Sequence, residues 1–125
     1  MMPQKFLEFE KFEQKCDRLL ELDEIRFAGL ISNMGKLVGG GFKKGITPLE
    51  DGAERQKMYM ELALHVSMRM EFDYCLGPVK YTASRREKAV MMSFPINNKV
   101  LLISTETWVD IEKLAKKILL IINAP

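Results

Sequence analysis

The sequence predicts an α+β domain in which a five-stranded, mostly antiparallel sheet packs against helices. Segments with apolar residues at helical spacing alternate with shorter strand-like segments, in the order helix, strand, strand, helix, strand, strand, strand, helix. Two tight-turn signals join neighbouring strands, which favours antiparallel pairing. Because no linker, repeat or low-complexity stretch divides the 125 residues, residues 1–125 are expected to form one domain around one core.

Composition and charge exclude several classes of protein. With 47% hydrophobic residues, 29% charged residues and a net charge of +2, the chain is typical of an ordinary soluble domain and does not favour nucleic-acid binding. Its two cysteines form neither a C-x-x-C pair nor a disulfide framework, which indicates a reducing compartment. The C-terminal apolar run Ile118–Ile122 is far shorter than the ~20 residues that span a bilayer. We therefore expect a cytoplasmic protein without a membrane anchor.

Residues 1–24 are predicted to form an amphipathic N-terminal helix. Its apolar residues recur at helical spacing: Phe6, Phe9, Phe12, Cys16, Leu19 and Leu20. Two strands, Ile25–Ile31 and Lys36–Phe42, follow the helix, and Ser32–Gly35 joins them in a turn because Asn and Gly tolerate positive φ. The consecutive glycines Gly39–Gly41 predict a bulge, a bend or a close approach of another backbone at the end of the second strand.

A long helix is predicted to cross between the two groups of strands, as one element over Leu49–Leu76. Thr47 as N-cap, Pro48 at the first helical position and Glu50 at the third match a helix start. The stripe facing the sheet is expected to contain Tyr59, Ala63, Val66 and Met70, widened by Met58 and Leu62. Gly77-Pro78 ends this element, since glycine accepts the left-handed cap and proline cannot continue the helix.

The C-terminal part is predicted to add three strands and a final helix. Val79–Ser84 alternates apolar with polar residues as a half-exposed strand does, and Arg85–Lys88 forms a charged loop. Ala89–Ile96 and Val100–Ser104 are two apolar strands joined by a tight turn at Asn97-Asn98. The final helix places its apolar residues on one face: Ile111, Leu114, Ala115, Ile118, Ile121 and Ile122.

This order of elements resembles the roadblock and dynein-light-chain superfamily, including the helix before the hairpin Ile25–Phe42. Longin and profilin-like domains share the same general plan. The local sequences Ile25–Ile31, Gly77–Tyr81 and Ser84–Lys88 are also similar to a small uncharacterised family of ammonia-oxidising archaea, which implies an archaeal source and no known activity.

The roadblock resemblance implies a homodimer joined by sheet edges and central helices, with Met58–Tyr74 and Val79–Ser84 near the interface. It also implies a regulatory platform for small GTPases. Within the two ranges, the residues expected to contact a partner are Met60, Met68, Tyr74, Val79, Tyr81 and Ala83.

Two features that imitate catalytic or binding motifs are incomplete. Gly40 and Gly45 have the spacing of a phosphate-binding loop, but Ile46 stands where the lysine of that motif belongs, which favours a structural bend. Glu61 and His65 lie four residues apart on one predicted helix, yet two ligands are fewer than the three or four protein ligands of a zinc site. No metal, cofactor or catalytic residue is therefore predicted.

The methionines suggest an adaptable contact surface or an ordinary core. Core packing is favoured for Met58 and Met70, whereas Met60 and Met68 lie off the main stripe and suit either role.

The basic residues Arg85, Arg86 and Lys88 could contact an acidic partner, although a solvated hairpin tip is the favoured interpretation. Trp108, before the final helix, is expected to pack against the sheet edge or a groove.

The leading hypothesis is a non-enzymatic interaction or regulatory platform, homodimeric, with a small GTPase or another protein as partner. The alternative is a sensor that holds a small ligand between sheet and helix, where Gly39–Gly41 would leave room for contact with the backbone. An enzyme ranks third, because the sequence carries no recognisable nucleophile or acid–base pair.

Overall fold

The computed structural model describes the backbone of residues 4–125 and the side chains of residues 12–125. Four helices (α1, α2, α3 and α4), a 3₁₀ turn and five strands follow one another along the chain. Their bounds are α1 Gln4–Leu20, β1 Ile25–Ile31, β2 Leu37–Phe42, α2 Gly52–Arg69, the 3₁₀ turn Met70–Phe72, α3 Asp73–Leu76, β3 Thr82–Arg85, β4 Val90–Ile96, β5 Lys99–Thr105 and α4 Ile111–Ile122.

The five strands form one antiparallel sheet in the spatial order β2-β1-β5-β4-β3. β2 and β3 are therefore the edges, and α2 with α3 crosses from one half of the sheet to the other. The predicted α+β fold with an antiparallel five-stranded sheet is confirmed. Within the described residues, every helix is too short or too polar to cross a membrane.

One face of the sheet is covered by α1 and α4. Side chains from alternating positions of β4 and β5, among them Met92, Phe94 and Ile103, are fully buried there against Leu114 and Ile118 of α4. Asp110 is the N-cap of α4, and its carboxylate accepts a hydrogen bond from the Lys113 N–H at 3.1 Å. Its apolar stripe therefore forms as the sequence predicts.

The described side chains of α1 also anchor this layer. Cys16 and Leu19 are fully buried, and the Lys15 Nζ donates to the Ile122 carbonyl at 2.6 Å, which joins α1 to the end of α4. The predicted apolar residues Phe6 and Phe9 lie outside the described side chains.

The opposite face is covered by α2. Tyr59 and Val66 of α2 are buried against Phe27, Ile31 and Leu102 of the sheet. The start of α2 also contacts the β1–β2 turn, where the Gln56 Nε2 donates to the Gly35 carbonyl at 3.1 Å. α2 thus lies across the sheet and buries only a narrow stripe of its side chains against it.

The predicted start of the crossover helix at Thr47 is wrong. α2 begins at Gly52 with Asp51 as N-cap: the Asp51 carboxylate accepts from the Glu54 N–H at 2.7 Å, and the Glu54 carboxylate accepts from the Asp51 N–H at 2.9 Å. This reciprocal capping box satisfies two free N–H groups. The Thr47 carbonyl instead accepts from Arg26 at 3.2 Å.

The crossover is also not one helix over Leu49–Leu76, as predicted. It tightens into the 3₁₀ turn after Arg69, and Phe72 (φ −101°, ψ 6°) leaves the helical region before the short α3. Gly77, at φ 83°, ends α3 as the sequence predicted.

The third strand begins at Thr82 rather than at the predicted Val79, and it includes Arg85, which was predicted to lie in the loop. Continuing the register of Thr82 with Ser93 would place Lys80 opposite Pro95. Arg86 and Ala89 are a hydrogen-bonded pair, and every second pair along an antiparallel ladder is hydrogen-bonded. At the position of Lys80, residue 95 of β4 would therefore have to donate its N–H. Proline has no N–H, so the ladder stops before it.

Candidate protein interface and adjoining cavity

A ridge of apolar side chains runs along the solvent side of the crossover. Five residues at intervals of four are between 53% and 81% exposed, and we call them the outer ridge: Met60, Leu64, Met68, Phe72 and Leu76. Tyr74, next to the ridge in sequence, is 88% exposed. The spacing of four brings neighbouring members of this series close together on α2, away from the buried Tyr59 and Val66, and Met68, Phe72 and Leu76 line one groove around its end.

The methionines divide between the two sides of α2. Met58 is half-buried against the small core under α2, which agrees with its predicted core role, and Met60 and Met68 lie on the outer ridge. Met70 was predicted to be core but is 46% exposed, because the helix tightens to 3₁₀ at this residue and turns it off the inward stripe.

The edge strand β3 offers backbone groups rather than side chains. Hydrogen-bonded and non-hydrogen-bonded pairs alternate along β3 and β4, starting from the hydrogen-bonded pair Arg86–Ala89. Ala83 and Arg85 fall in the non-hydrogen-bonded pairs, so their N–H and C=O groups point toward the free edge. The Tyr81 ring stacks on Phe94 at 5.7 Å and Ala83 packs beside the large core, so both side chains are half-buried on the α1/α4 side. Val79 is half-buried as well.

The predicted basic cluster separates into two roles. Arg85 donates to the carbonyls of Thr107 at 2.7 Å and Val109 at 2.8 Å, so it fastens the segment before α4. Arg86 and Lys88 are exposed in the β3–β4 turn. The same segment carries Trp108, which is 65% exposed.

The glycine-rich end of β2 lies against α1. The Glu13 carboxylate accepts from the Gly40 N–H at 2.9 Å, and a Cβ on Gly40 would lie 2.1 Å from the Ala28 carbonyl oxygen. The expected close approach of another backbone is present here. A Cβ on Gly39 would lie 3.2 Å from the same Glu13 carboxylate, so the α1 side of this stretch is occupied by the chain itself.

Glu61 and His65 are both exposed on α2, where Glu61 lies 4.0 Å from Lys57. Across the described residues, no three His, Cys, Asp or Glu side chains gather in a way that could hold a metal ion.

A cavity of about 180 Å³ lies between the end of the crossover and the place where β3 fails to extend along β4. Its apolar walls include Val66, Met70, Val79 and Pro95, and its polar groups are Arg69, Asp73, Thr82 and Asn97. The Asp73 Oδ1 is buried without a hydrogen-bond partner in the described structure. An outer groove on the other side of Arg69 and Asp73 is lined by the ridge residues Met68, Phe72 and Leu76.

Sequence reasoning missed this cavity and its two charged residues. The available signal was Pro95, which lies inside the predicted strand Ala89–Ile96 and cannot donate an N–H to a neighbouring strand.

Solved structures with the same fold define the class of this domain. A roadblock/LC7 domain from Streptomyces avermitilis is 11% identical with a TM-score of 0.65, covering 88% of this chain and 90% of that chain. The gliding protein MglB from Thermus thermophilus is 13% identical with a TM-score of 0.66, covering 87% of this chain and 82% of that chain. MglC from Myxococcus xanthus is 14% identical with a TM-score of 0.51, covering 86% of this chain and 96% of that chain. The chain therefore has the roadblock/LC7 fold, as the order of its elements predicted.

Within that fold, the chain belongs to a family of unknown function, DUF6659, whose sequence profile matches residues 2–123. No curated protein matches the sequence. The archaeal source inferred from local sequence stays a prediction.

Proposed function

We propose that the protein is a non-enzymatic interaction module that forms a homodimer and serves as a regulatory platform for another protein, with a small GTPase as the partner class. The observation that carries the proposal is the outer ridge, a series of exposed apolar side chains along α2, the 3₁₀ turn and α3, together with a β3 edge whose outward backbone groups are unpaired in the described structure.

The ridge is costly to leave in water. Full burial of a large apolar side chain contributes about 1.5–3 kcal/mol, and monomeric soluble domains rarely expose a contiguous patch of several such residues. Two of the five ridge residues, Met60 and Met68, have unbranched side chains that adapt to a partner's shape. Burial of this ridge against another protein is therefore the favoured state.

A second copy of the chain suits this surface for two reasons. Two identical β3 edges can pair antiparallel about a twofold axis, which satisfies the outward N–H and C=O groups of Ala83 and Arg85. A net charge of +2 per chain gives little repulsion between copies. Oligomerisation within the fold supports the proposal, since a similar structure is described as MglB with tetrameric arrangement, at 11% identity and a TM-score of 0.58 over 97% of this chain and 92% of that chain.

The dimer is tested by light scattering and sedimentation at high micromolar concentration. The wild-type chain is expected to have twice the mass of one chain, whereas Leu64→Lys places a charge on the ridge and gives a monomer. The matched control is His65→Lys, which adds the same charge to the neighbouring exposed position of α2 and keeps the dimer. A monomeric wild type, or a Leu64→Lys variant that stays dimeric, contradicts the proposal.

The contribution of the sheet edge is tested separately with Ala83→Pro. Proline removes an N–H that points to the free edge, without breaking a β3–β4 hydrogen bond, so the fold is kept while pairing between copies weakens. Ala83→Ser retains the N–H and is the control. If Ala83→Pro dimerises as tightly as the wild type, the edge is not part of the interface.

The partner class is tested with a small GTPase encoded in the same genome, loaded with GDP or with a non-hydrolysable GTP analogue. A nucleotide-dependent affinity for the wild-type protein, lower for the Leu64→Lys monomer, is the expected result. Equal or absent binding in both nucleotide states contradicts the GTPase assignment and leaves the dimer measurement unaffected.

A further inference from the structure

We propose that the cavity between the crossover and the end of β4 binds a small apolar amino acid, whose ammonium group contacts Asp73 and whose carboxylate contacts Arg69. The site does not depend on the proposed homodimer. It belongs to the ligand-sensor class of function, at a place far from the glycine-rich end of β2.

The cavity follows from the backbone. Pro95 cannot donate to a longer β3, so Val79 and its neighbours leave the sheet and a space opens between them and β4. The end of α2 and the 3₁₀ turn roof this space with Val66 and Met70. Proline in β4 therefore sets one boundary of the cavity.

The charge of Asp73 calls for a donor inside the cavity. Its Oδ1 is buried and accepts no hydrogen bond from the described protein, and a buried carboxylate oxygen is stabilised when a donor or a cation approaches it. A ligand ammonium supplies both the hydrogen bond and the opposite charge.

Arg69 lines the same cavity without pairing with Asp73. The two residues lie on either side of the 3₁₀ turn, and no ion pair within 4.0 Å and no hydrogen bond joins their side chains in the described structure. An unpaired guanidinium and an unpaired carboxylate beside one cavity match a ligand that carries both charges. A guanidinium fork suits a carboxylate, which sets the ligand's orientation.

The size and walls of the cavity select among zwitterions. A cavity of about 150 Å³ admits benzene, so about 180 Å³ suits an amino acid with a small apolar side chain such as leucine or valine. Val66, Met70 and Pro95 provide apolar contacts for that side chain. A nucleotide or a sugar phosphate would need more positive charge than the one Arg69 that lines this cavity.

Isothermal titration of the full chain with three molecules separates the two charge contacts. The molecules are L-leucine, 3-methylbutylamine, which lacks the carboxylate, and 4-methylpentanoate, which lacks the ammonium. We expect leucine to bind the wild-type chain about tenfold or more tightly than either analogue, since each analogue loses one charge-assisted hydrogen bond.

Two variants assign the contacts, and two matched variants control them. Asp73→Asn is expected to lower the affinity for leucine and for the amine about tenfold and to leave the affinity for 4-methylpentanoate unchanged. Arg69→Gln is expected to lower the affinity for leucine and for 4-methylpentanoate about tenfold and to leave that for the amine unchanged. Glu71→Gln and Arg86→Gln remove one charge of each sign outside the cavity and leave all affinities unchanged.

Three results overturn the proposal: no leucine binding at millimolar concentration, equal binding of the three molecules, or affinities that Asp73→Asn and Arg69→Gln do not change. The last two would mean that the cavity holds water or an unspecific apolar guest. Circular dichroism confirms that each variant is folded. The mass of each variant in solution reports separately on the proposed dimer, because the dimer can fail to form while leucine binding is intact.

Discussion

The two faces of the sheet differ in how completely they are packed. Among the described side chains, fourteen buried residues form the core under α1 and α4, whereas six form the core under α2. The α1/α4 layer has few exposed large apolar residues near it, and the crossover presents the whole outer ridge to solvent. The first layer carries the stability of the domain, and the second leaves surface and space for other molecules.

The difference begins in the strands themselves. Toward α1 and α4, β4 presents Val90, Met92 and Phe94, whereas toward α2 it presents Met91, Ser93 and Pro95. Small and polar side chains fill less of the space under a helix, so α2 is held by a few contacts only. A face built in this way can change its packing when a partner binds with little cost to the rest of the fold.

The largest expected effect tests the claim that stability lies under α4. Ile118 is fully buried there, so Ile118→Ala should lower the free energy of unfolding by about 4 kcal/mol, the usual range for a buried Ile or Leu being about 2–5 kcal/mol. Urea denaturation measures the change. The matched variant Leu64→Ala removes a side chain of similar size from the outer ridge, and at dilute monomer concentration it should cost less than about 0.5 kcal/mol. Equal losses would contradict the comparison of the two faces.

A somewhat smaller effect is expected where β2 lies under α1. Gly40→Ala forces a Cβ to within 2.1 Å of the Ala28 carbonyl oxygen at a φ of 78°, so it should cost about 3 kcal/mol. Gly45→Ala has a similar φ of 86° but open space around the new atom, and should cost only about 1 kcal/mol. Thermal and urea unfolding measure both variants. A Gly45→Ala variant as unstable as Gly40→Ala would show that backbone strain, not the contact with β1, requires the glycine.

The helix under the outer ridge should depend on one cap. Asp51→Ala removes the capping box of α2 and is expected to lower the free energy of unfolding by about 1 kcal/mol. Thr47→Ala changes the residue that the sequence favoured as the cap and should cost almost nothing. If Thr47→Ala proves the more harmful variant, α2 begins earlier in solution than at Gly52.

The sequence predicted the elements held by local signals and missed the features that depend on distant pairs. β1 and the final helix lie where the apolar pattern predicts them, and the turn at Asn97 forms with that residue at a φ of 54°. The β3 start depends on Pro95 standing opposite it, and that pairing appears only once the register is known. The contact of Arg85 with two carbonyls before α4 likewise joins segments that are distant in sequence.

For the candidate site, exposure of Met60, Met68 and Tyr74 was predictable from their position off the inward stripe. The cavity was not, because Arg69 and Asp73 look like ordinary surface charges until the path of the chain after Gly77 brings them against β4. Helical spacing fixes which side of α2 a residue occupies, but it cannot tell what faces that side.

The two cysteines give the mildest test of the comparison, since one lies on each side of the sheet. Burial, and to a lesser degree the Glu13 and Asp17 carboxylates, raises the pKa of Cys16 to about 12, whereas Cys75 is exposed beyond α2. Iodoacetamide at pH 8 should therefore modify Cys75 within minutes and reach Cys16 only through unfolding. Mass spectrometry of the two peptides distinguishes them, and comparable rates would show that the α1 layer opens readily.

The raised pKa of Cys16 also gives a dependence of stability on pH. Above pH 9 the thiol ionises in the unfolded chain but keeps its proton in the folded chain until about pH 12, so the unfolded state binds fewer protons and stability falls as pH rises. Between pH 8 and 9.5 the free energy of unfolding should decline more steeply for the wild type than for Cys16→Ala, and Cys75→Ala should keep the wild-type slope. Because the two alanine variants differ only in which layer loses a thiol, identical slopes would mean that Cys16 is solvated in the folded protein and that the α1 layer is no better sealed than the face under α2.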